Sequence, residues 1–312
     1  MTEPTPWPAA SDVPLLIGRL ESLVGREGIA DDYARLRIAL VRAQAAAMEA
    51  LAERQSAVPP CPLREEAPLV HVAAMPVDRG VARPLFGRAV EACGARAETS
   101  AGLRRLERAV DEEPGLLDEL VRFAPVPEEG PFAALARRLE LAVEVPLLIS
   151  RITAAPLVTD AAMRGANAGR DSFGRNTLQG VPERGAPPFF GSGGNCPVCG
   201  AAPGLAELRP GDGARVLHCS LCAYAWPFGR LDCPSCGGRN PNGIEKVSVE
   251  GVPARWLEVC RPCRRYLKTI DRRELAPDGP FLPLVEEVAG LYLDMLAERQ
   301  DWLPNPPYAA VR

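Results

Sequence analysis

The chain has 312 residues, of which 47% are hydrophobic, so it is long enough to bury a core in one large domain or two ordinary ones. Its net charge of −4 gives no global basic field, which argues against binding of nucleic acid or an anionic membrane by the protein as a whole. Residues 1–11 lack a basic cluster followed by an apolar run, as a leader peptide would have. Charge or proline interrupts the apolar stretches before the roughly 20 residues needed to cross a bilayer. We therefore expect a cytoplasmic protein without a membrane span.

The first half of the chain has helical periodicity. Its clearest segment, residues 31–54, places apolar side chains on one stripe, as in an amphipathic helix with a buried face. A further helix is predicted over 145–162, kinked or divided at Pro156. Prolines between residues 59 and 84 predict an irregular crossing loop. We expect an all-helical domain over 1–164. Shorter helices are predicted at 13–25, 84–95, 103–110, 116–123 and 132–143.

Glycine, proline, asparagine and serine become frequent after this region, and the composition predicts a linker over 165–195. The next segment repeats itself, because the motif CPVCG at 196–200 returns as CPSCG at 233–237. Short runs with β character, at 215–218 and 255–259, each lead into another cysteine pair. The predicted boundaries are a first metal module at 196–231, a second at 232–275, and a C-terminal helix, 282–299, within a last region of 276–312.

Ten cysteines in a chain of this size are better explained by metal ligation than by disulfides, which are typical of small secreted domains. Eight of them form four Cys-x-x-Cys pairs within 68 residues. Cys61 and Cys93 stand alone in the other half, and we expect them to be ordinary buried or half-buried thiols.

A Cys-x-x-Cys knuckle directs both sulfurs at one point, and two knuckles complete a tetrahedral shell that suits zinc or a mononuclear iron. An interval of 19 residues, 200–218, suits a hairpin that returns the second pair to the first. An interleaved pairing of the four knuckles stays open at this point. The sequential pairing assigns the first site to Cys196, Cys199, Cys219 and Cys222, and the second to Cys233, Cys236, Cys260 and Cys263.

A shell filled by four protein ligands has no open position for water or substrate, which argues against hydrolytic metal catalysis. The sequence also lacks a phosphate-binding glycine loop, a nucleophile elbow and a histidine pair for acid-base chemistry. We therefore predict that the protein is not an enzyme. A purely structural role, one-electron redox chemistry with iron, and handling of metal or sulfur stay open.

Three other side chains adjoin or resemble site residues. His218 precedes Cys219, and we expect it to donate a hydrogen bond near the site, contact a partner or lie exposed on a strand, rather than bind the metal. His71 is expected on the surface. Trp226 is expected to pack over the hairpin, with an exposed anchor for a partner as the alternative.

The segment 196–275 has a local charge of +4, from 12 Lys and Arg against 8 Asp and Glu. Zinc ribbons can bind nucleic acid through basic faces, but this excess is too small to predict such a role. Its most basic run comprises Arg261, Arg264, Arg265 and Lys268.

A series of short motifs runs through the C-terminal half of the chain. The motifs are Leu217-His218-Cys219-Ser220-Leu221-Cys222, Trp226, Arg230, Cys233-Pro234-Ser235-Cys236-Gly237, Cys260 and Cys263 followed by Tyr266-Leu267-Lys268, Glu286-Glu287, and Leu293-Asp294. Together they resemble the FdhE family of accessory proteins for formate dehydrogenase maturation. The resemblance is specific over residues 196–296, and weaker over the first 185 residues, where Gln44 and the helix content are compatible.

The resemblance implies an all-helical N-terminal domain, two tandem rubredoxin-like or zinc-ribbon knuckle modules and a C-terminal helix. It also implies two mononuclear iron sites with four cysteines each, zinc being the alternative metal. The expected partner is the catalytic subunit of a formate dehydrogenase, bound in the cytoplasm, and no nucleic acid or membrane is expected.

The chain departs from the family pattern in three places. Ala225 stands where an acidic residue is common, Glu286-Glu287 replaces paired aspartates, and the connector 167–194 is longer than typical. These departures bear on which partner is bound, since all eight cysteines are present. Two other functions are kept as alternatives: a rubredoxin-like one-electron redox protein and a zinc-ribbon nucleic-acid-binding protein.

Overall fold

A computed structural model of the protein places helices in the N-terminal half and a sheet with two short helices in the C-terminal half. This arrangement, with two four-cysteine clusters in the sheet region, confirms the predicted fold class. The residues that the structure describes are 12–26, 29–54, 68–94, 97–126, 130–169, 194–239, 242–275 and 280–305.

The helical region contains all of the helices predicted from periodicity. A short 3-10 helix, Val72–Ala74, lies in the stretch predicted as an irregular loop. The helices are α1 (Val13–Glu21), α2 (Asp31–Glu53), α3 (Arg79–Cys93), α4 (Ala97–Glu112), α5 (Leu116–Phe123), α6 (Phe132–Leu139) and α7 (Glu144–Gly169).

Five helices have bounds that differ from the prediction by more than one residue. Helix α1 ends at Glu21 rather than residue 25, and α4 spans Ala97–Glu112 rather than 103–110. Helix α3 begins five residues before Pro84 because its first turn buries Val81 and Ala82, so packing stabilises it despite the lost hydrogen bond at proline. Helix α6 ends early because Glu140 adopts a left-handed conformation, with φ of 52°. Helix α7 is not divided at Pro156 and continues into the predicted linker. The rest of that linker lies outside the described residues, which resume at 194.

Helix α7 is the central helix of the N-terminal region, in contact with α2, α3, α5 and α6. Gln44 of α2 is buried and donates a hydrogen bond from Nε2 to the carbonyl oxygen of Ile152, at 3.0 Å. Within the described chain, the window Glu144–Arg164 is long and apolar enough to cross a membrane, with a mean hydropathy of 1.3. This window was not expected from the sequence, because Arg151, Pro156 and Asp160 interrupt its apolar residues. Because 89% of it is buried inside the fold, its environment is that of a core helix.

A seven-stranded sheet follows the helical region. Its strands are β1 (Pro203–Leu208), β2 (Arg215–Cys219), β3 (Ala225–Pro227), β4 (Ile244–Ser248), β5 (Arg255–Cys260), β6 (Arg265–Asp271) and β7 (Leu303–Pro304). Six strands lie in the order β3-β2-β1-β6-β5-β4, and the short β7 also pairs with β6. The runs predicted at 215–218 and 255–259 lie in β2 and β5, which confirms both strands.

The sheet is continuous across the predicted boundary between the two metal modules. Strands β1 and β2 form an antiparallel pair, as do β5 and β6, while β1 and β6 pair in parallel with Leu205 opposite Lys268. Both copies of the cysteine repeat therefore contribute strands to one sheet. The boundary between two modules at residues 231 and 232 stays a prediction from the sequence repeat.

The C-terminal segment predicted as one helix over 282–299 is helical, but it is divided into two helices. Two helices, α8 (Pro283–Ala289) and α9 (Leu291–Glu298), meet at Gly290, where the first helix is capped. Helix α8 places Val288 in an apolar cluster with residues of α1 and α2, whereas α9 places Leu293 against β5 and β6. One straight helix could not lie along both surfaces, so the break lets this segment contact the helical region and the sheet.

Candidate metal centres

Each of the four cysteine pairs is followed by a residue with positive φ. These residues are Gly200 (80°), Ala223 (58°), Gly237 (69°) and Arg264 (56°). At three of the four, the amide donates a hydrogen bond to the carbonyl oxygen of the first cysteine of the pair, at 2.8–3.0 Å. This tight turn brings the two sulfurs of a pair to one side. The glycines were noted in the sequence, but Ala223 and Arg264 adopt the same conformation without a glycine's freedom.

The first four predicted ligands meet between the sheet and the helices. The Sγ atoms of Cys196 and Cys222 are 3.7 Å apart, and those of Cys199 and Cys219 are 3.5 Å apart. All four sulfurs lie within 4.8 Å of one another, and all four residues are buried. A tetrahedral shell with metal–sulfur bonds of about 2.3 Å has sulfur–sulfur edges of about 3.8 Å. The cluster therefore has the size of an S4 metal shell.

The other four predicted ligands form a second cluster of the same size. Its Sγ–Sγ distances are 3.8 Å from Cys233 to Cys263 and 3.8 Å from Cys236 to Cys260. Cys233 and Cys260 are buried, Cys263 is half-buried and Cys236 is exposed. In each cluster, the sulfurs that meet are those of two consecutive cysteine pairs, as in the sequential pairing.

The donor set of both clusters, four thiols without a carboxylate or imidazole, fits a four-coordinate zinc or mononuclear iron ion. Within the described residues these two are also the clusters whose cysteine, histidine and acidic side chains converge closely enough to hold a metal. Metal ligation by these eight residues, and the choice between iron and zinc, stay predictions.

The first cluster favours a thiolate at Cys219. Burial opposes its ionisation, but hydrogen bonds from the neighbouring thiols and from the Leu221 amide outweigh burial and lower the pKa of Cys219 well below its usual value. The amides of Leu221 and Cys222 lie 3.3 and 3.4 Å from its sulfur. Burial, together with the negative charges that Cys196 and Cys222 would carry when ionised, raises the pKa of Tyr224 to about 12. A positive ion in this cluster would replace the thiol protons and stabilise the thiolates.

Backbone and side-chain contacts attach the first cluster to the helical region. The amides of Leu69 and Val70 donate to the carbonyl oxygens of Pro197 and Val198, at 2.9 and 2.8 Å, so the first knuckle pairs with the segment before α3. The buried Arg151 of α7 completes this attachment. It donates from Nη2 to Ser220 Oγ at 2.8 Å and from Nη1 to the Ala124 carbonyl at 2.9 Å.

Trp226 packs inside the molecule and is among its largest fully buried side chains. It belongs to the main apolar core, together with the cysteines of the first cluster. The prediction that it packs over the hairpin is confirmed, and the alternative of an exposed anchor for a partner is wrong.

His218 lies beside the first cluster without entering it. It is buried on β2, and its Nε2 is 2.7 Å from Oε2 of Glu207 on β1, so the alternative of an exposed strand residue is wrong. Glu207 also accepts a hydrogen bond from Arg272 at 2.8 Å, and the ring of Phe281 covers His218 at 5.2 Å. Burial alone would raise the pKa of Glu207, but the interactions with His218 and Arg272 outweigh burial, so the pKa is lowered. His71 is exposed, as predicted.

A buried ion pair links the two halves of the sheet, and sequence analysis did not identify it. Arg215 of β2 and Glu258 of β5 approach to 2.6 Å, with side chains 1% and 12% exposed. Arg215 also donates to the carbonyl oxygens of Gly229 and Asp232, at 3.0 and 2.9 Å, just before Cys233. The only signal in the sequence was a charge at each of two strand positions otherwise suited to burial.

The basic run noted in the sequence is engaged in internal contacts. Arg261 pairs with Glu245 at 3.3 Å, and the buried Lys268 donates to Asp294 at 2.7 Å and to the Glu287 carbonyl at 3.0 Å. The run therefore holds the C-terminal segment on the sheet. Two further bonds run from Arg264 to the carbonyl of Gln300 and from Arg265 to the carbonyl of Pro304, at 3.3 and 3.1 Å.

The acidic residues compared with the family pattern also have structural partners. Glu286 accepts a hydrogen bond from Arg255 of β5 at 2.8 Å, and Glu287 pairs with Arg37 of α2 at 3.3 Å. Of the two remaining cysteines, Cys93 is half-buried, as predicted, and burial raises its pKa. Cys61 lies outside the described residues.

The chain is similar in sequence to proteins of one family. Residues 195–230 match the family model "FdhE, central domain". The chain is 31% identical over 111 residues to "Protein FdhE homolog" of Aquifex aeolicus (strain VF5), covering 35% of this chain and 38% of that protein. It is 38% identical over 116 residues to "Protein FdhE homolog" of Stutzerimonas stutzeri (strain A1501), covering 36% of each. The matched region is thus little more than a third of these relatives' length.

The fold resemblance extends much further than the sequence resemblance. The crystal structure of the FdhE protein from Pseudomonas aeruginosa superposes with a TM-score of 0.60 at 22% sequence identity, covering 96% of this chain and 95% of that one. The helical region, the sheet and the C-terminal helices therefore share one architecture with that protein. Together with the central-domain match, this confirms the resemblance to the FdhE family.

Proposed function

We propose that this chain is an accessory protein for the maturation of a formate dehydrogenase, and that it binds the enzyme's catalytic subunit in the cytoplasm. The observation that carries the proposal is the match of residues 195–230, which hold the first cysteine cluster, to the FdhE central domain. This chain also resembles FdhE homologues in sequence over about a third of its length, and an FdhE protein in fold over most of its length.

The chemistry of the two clusters supports a role other than catalysis. Four thiols around one point leave no coordination position for a substrate or an activated water, so a metal held there would shape the protein or transfer single electrons. The eight cysteines would hold it: Cys196, Cys199, Cys219 and Cys222 in the first centre, and Cys233, Cys236, Cys260 and Cys263 in the second.

The partner is tested by affinity capture with the tagged full-length chain from its own cells, grown under conditions that induce formate dehydrogenase. We expect the catalytic subunit in the eluate, and loss of formate oxidation in a deletion strain that regains it on complementation. A tagged Cys93→Ser variant serves as a control and should capture the same subunit as the wild type, because this thiol lies outside both clusters. An eluate without any dehydrogenase subunit, together with normal formate oxidation in the deletion strain, would overturn the proposal.

We propose iron as the metal, with zinc as the alternative. Anaerobic purification followed by metal analysis and an absorption spectrum distinguishes them, because ferric thiolate centres are coloured and zinc centres are not. Two equivalents of iron with visible absorption are expected. A colourless protein that holds two equivalents of zinc would show that the metal is zinc rather than iron.

One observation favours a second function, that of a rubredoxin-like one-electron carrier. Cys236 of the second cluster is exposed, so electrons could reach an iron ion there without a conformational change. Voltammetry of the iron-loaded protein tests this function. A reversible one-electron couple supports it, and its absence in a protein that still holds iron excludes it.

A further inference from the structure

We infer that the two centres have different roles, an inference that rests on the proposed metal binding. The first centre is a permanent structural element that fixes the helical region on the sheet. The second exchanges its metal with solvent through Cys236. The two centres have the same ligand spacing at each knuckle, so the difference comes from their surroundings.

The first centre is enclosed by both regions of the molecule. Its four cysteines belong to the main apolar core, which also contains residues of α2, α3, α5 and α7. The carbonyls of Pro197 and Val198, inside its first knuckle, accept hydrogen bonds from the segment before α3, and Ser220, in its second knuckle, accepts one from Arg151. An incoming ligand can reach these sulfurs only after the helical region has separated from the sheet. Metal release is therefore limited by that opening.

The second centre lies outside this core among the described residues. The Cys236 side chain is exposed and Cys263 is half-buried, so one ligand and part of another face solvent. Its first knuckle is held by a hydrogen bond from Ser235 Oγ to Asn305 Oδ1 and by the Gly194 amide on the Pro234 carbonyl. These contacts come from short segments near the chain's C-terminal strand and the start of the sheet region. Ligand exchange at Cys236 needs no separation of the two regions.

Exposed arginines flank this open edge. Arg239, three residues after Cys236, has a side chain that is 84% exposed, and Arg261, inside the second knuckle, is 64% exposed. Their ion pairs with Asp232 and Glu245, at 3.5 and 3.3 Å, are exposed and therefore weak. Both guanidinium groups can attract an anionic ligand to the edge.

The exchange step conserves charge and electrons. An incoming thiolate would form a metal–sulfur bond while the bond to the Cys236 sulfur broke, and Cys236 would leave as a thiolate that takes a proton from water. Cys233, Cys260 and Cys263 would still hold the metal, without a change of oxidation state. A thiolate-bearing acceptor is therefore the class of partner that could take metal from this centre.

Metal release from the full-length protein loaded with two equivalents of zinc tests the inference. The anionic chelator 4-(2-pyridylazo)resorcinol is added in excess, and the coloured zinc complex is followed in time. We expect one equivalent to leave quickly and the other at least about tenfold more slowly, because the second requires opening of the fold. Release of both equivalents in a single phase would overturn the inference while leaving metal binding itself intact.

The variants Cys236→Ser and Cys199→Ser form a matched pair, since each removes the second cysteine of the first knuckle in its centre. We expect Cys236→Ser to keep the slowly released zinc and the wild-type melting temperature of the helical region, and Cys199→Ser to lower that temperature. Retention of only the fast equivalent in Cys236→Ser would contradict the assignment.

Limited alkylation of the wild-type protein covers the case in which Cys199→Ser does not fold. Zinc-loaded protein is treated with iodoacetamide, and labelled cysteines are identified by peptide mass spectrometry. Cys236 is expected to be labelled first, in step with loss of the fast zinc. Equal labelling of Cys199 and Cys236 would refute the inference. A protein that binds no zinc at either centre would instead refute the proposed metal binding.

Discussion

Replacing Glu258 by Leu should destabilise the sheet by about 3–5 kcal/mol, because the change leaves the Arg215 charge buried without its partner. Arg215 is only 1% exposed, and its ion pair with Glu258 spans 2.6 Å between β2 and β5. Its two carbonyl contacts, at Gly229 and Asp232, remain but do not neutralise the charge. The effect should exceed that of an exposed pair, which is worth roughly 0–1 kcal/mol.

Burial already limits the benefit of this pair, since it raises the pKa of Glu258 despite the opposing effect of Arg215. A raised carboxyl pKa means that the folded state holds its proton more firmly than the unfolded chain. This group therefore contributes less to stability once the pH rises through the folded pKa. The double variant Arg215→Met/Glu258→Leu removes both charges and should be more stable than Glu258→Leu alone. Its free energy of unfolding should remain about 1–3 kcal/mol below that of the wild type, because the two carbonyl contacts of Arg215 are lost.

The assay is equilibrium urea unfolding at pH 7 in zinc-saturated buffer, followed by tryptophan fluorescence, for the wild type, both single variants and the double variant. The double-mutant cycle isolates the coupling between the two side chains. A Glu258→Leu variant that loses less than about 1 kcal/mol would show that the pair behaves as an exposed one, and would refute the reasoning.

Three more substitutions test separate contacts. Hydrogen bonds from Arg273 hold the pKa of Asp271 below its usual value, so Asp271 stabilises the fold above its unfolded pKa of about 3.9 and less as the pH falls through the folded pKa. Asp271→Asn should therefore weaken the loss of stability as the pH falls below about 3.9 in pH-dependent urea titrations, and an unchanged profile would contradict this. Lys268→Met removes two charged hydrogen bonds to α8 and α9 and should cost about 1.5–3 kcal/mol, whereas an unchanged urea midpoint would mean that the C-terminal helices are held otherwise. Trp226→Ala should cost about 3–5 kcal/mol by thermal or urea unfolding, and a loss below about 1 kcal/mol would be inconsistent with its burial in the core.

The features predicted well from the sequence are those set by short-range spacing. The amphipathic pattern of α2 is local, and its observed end at Glu53 lies one residue from the predicted one. Sulfur pairs of a knuckle are likewise three residues apart, so the turn alone brings them together. The sequential assignment of the eight cysteines follows from the hairpins between the pairs, which are also local.

Features that depend on distant contacts could not be predicted in the same way. The parallel pairing of β1 with β6 joins residues about sixty positions apart, and nothing in either strand specifies the other. Gly290 looked like one position of a continuous helix, but α8 and α9 lie on different surfaces. Glu207 meets both His218 and Arg272 only because β1, β2 and the end of β6 are neighbours in the sheet.

The environment of each centre is the most consequential of these long-range features. The motifs CPVCG and CPSCG are nearly the same, and the sequence therefore predicts two equivalent centres. In the fold, the segment before α3 and Arg151 of α7 cover the first centre, whereas the second has Cys236 open to solvent. The helical region thus covers one copy of the cysteine repeat and leaves the other open. On the inference above, a metal would be released slowly from the covered copy and would exchange readily at the open one.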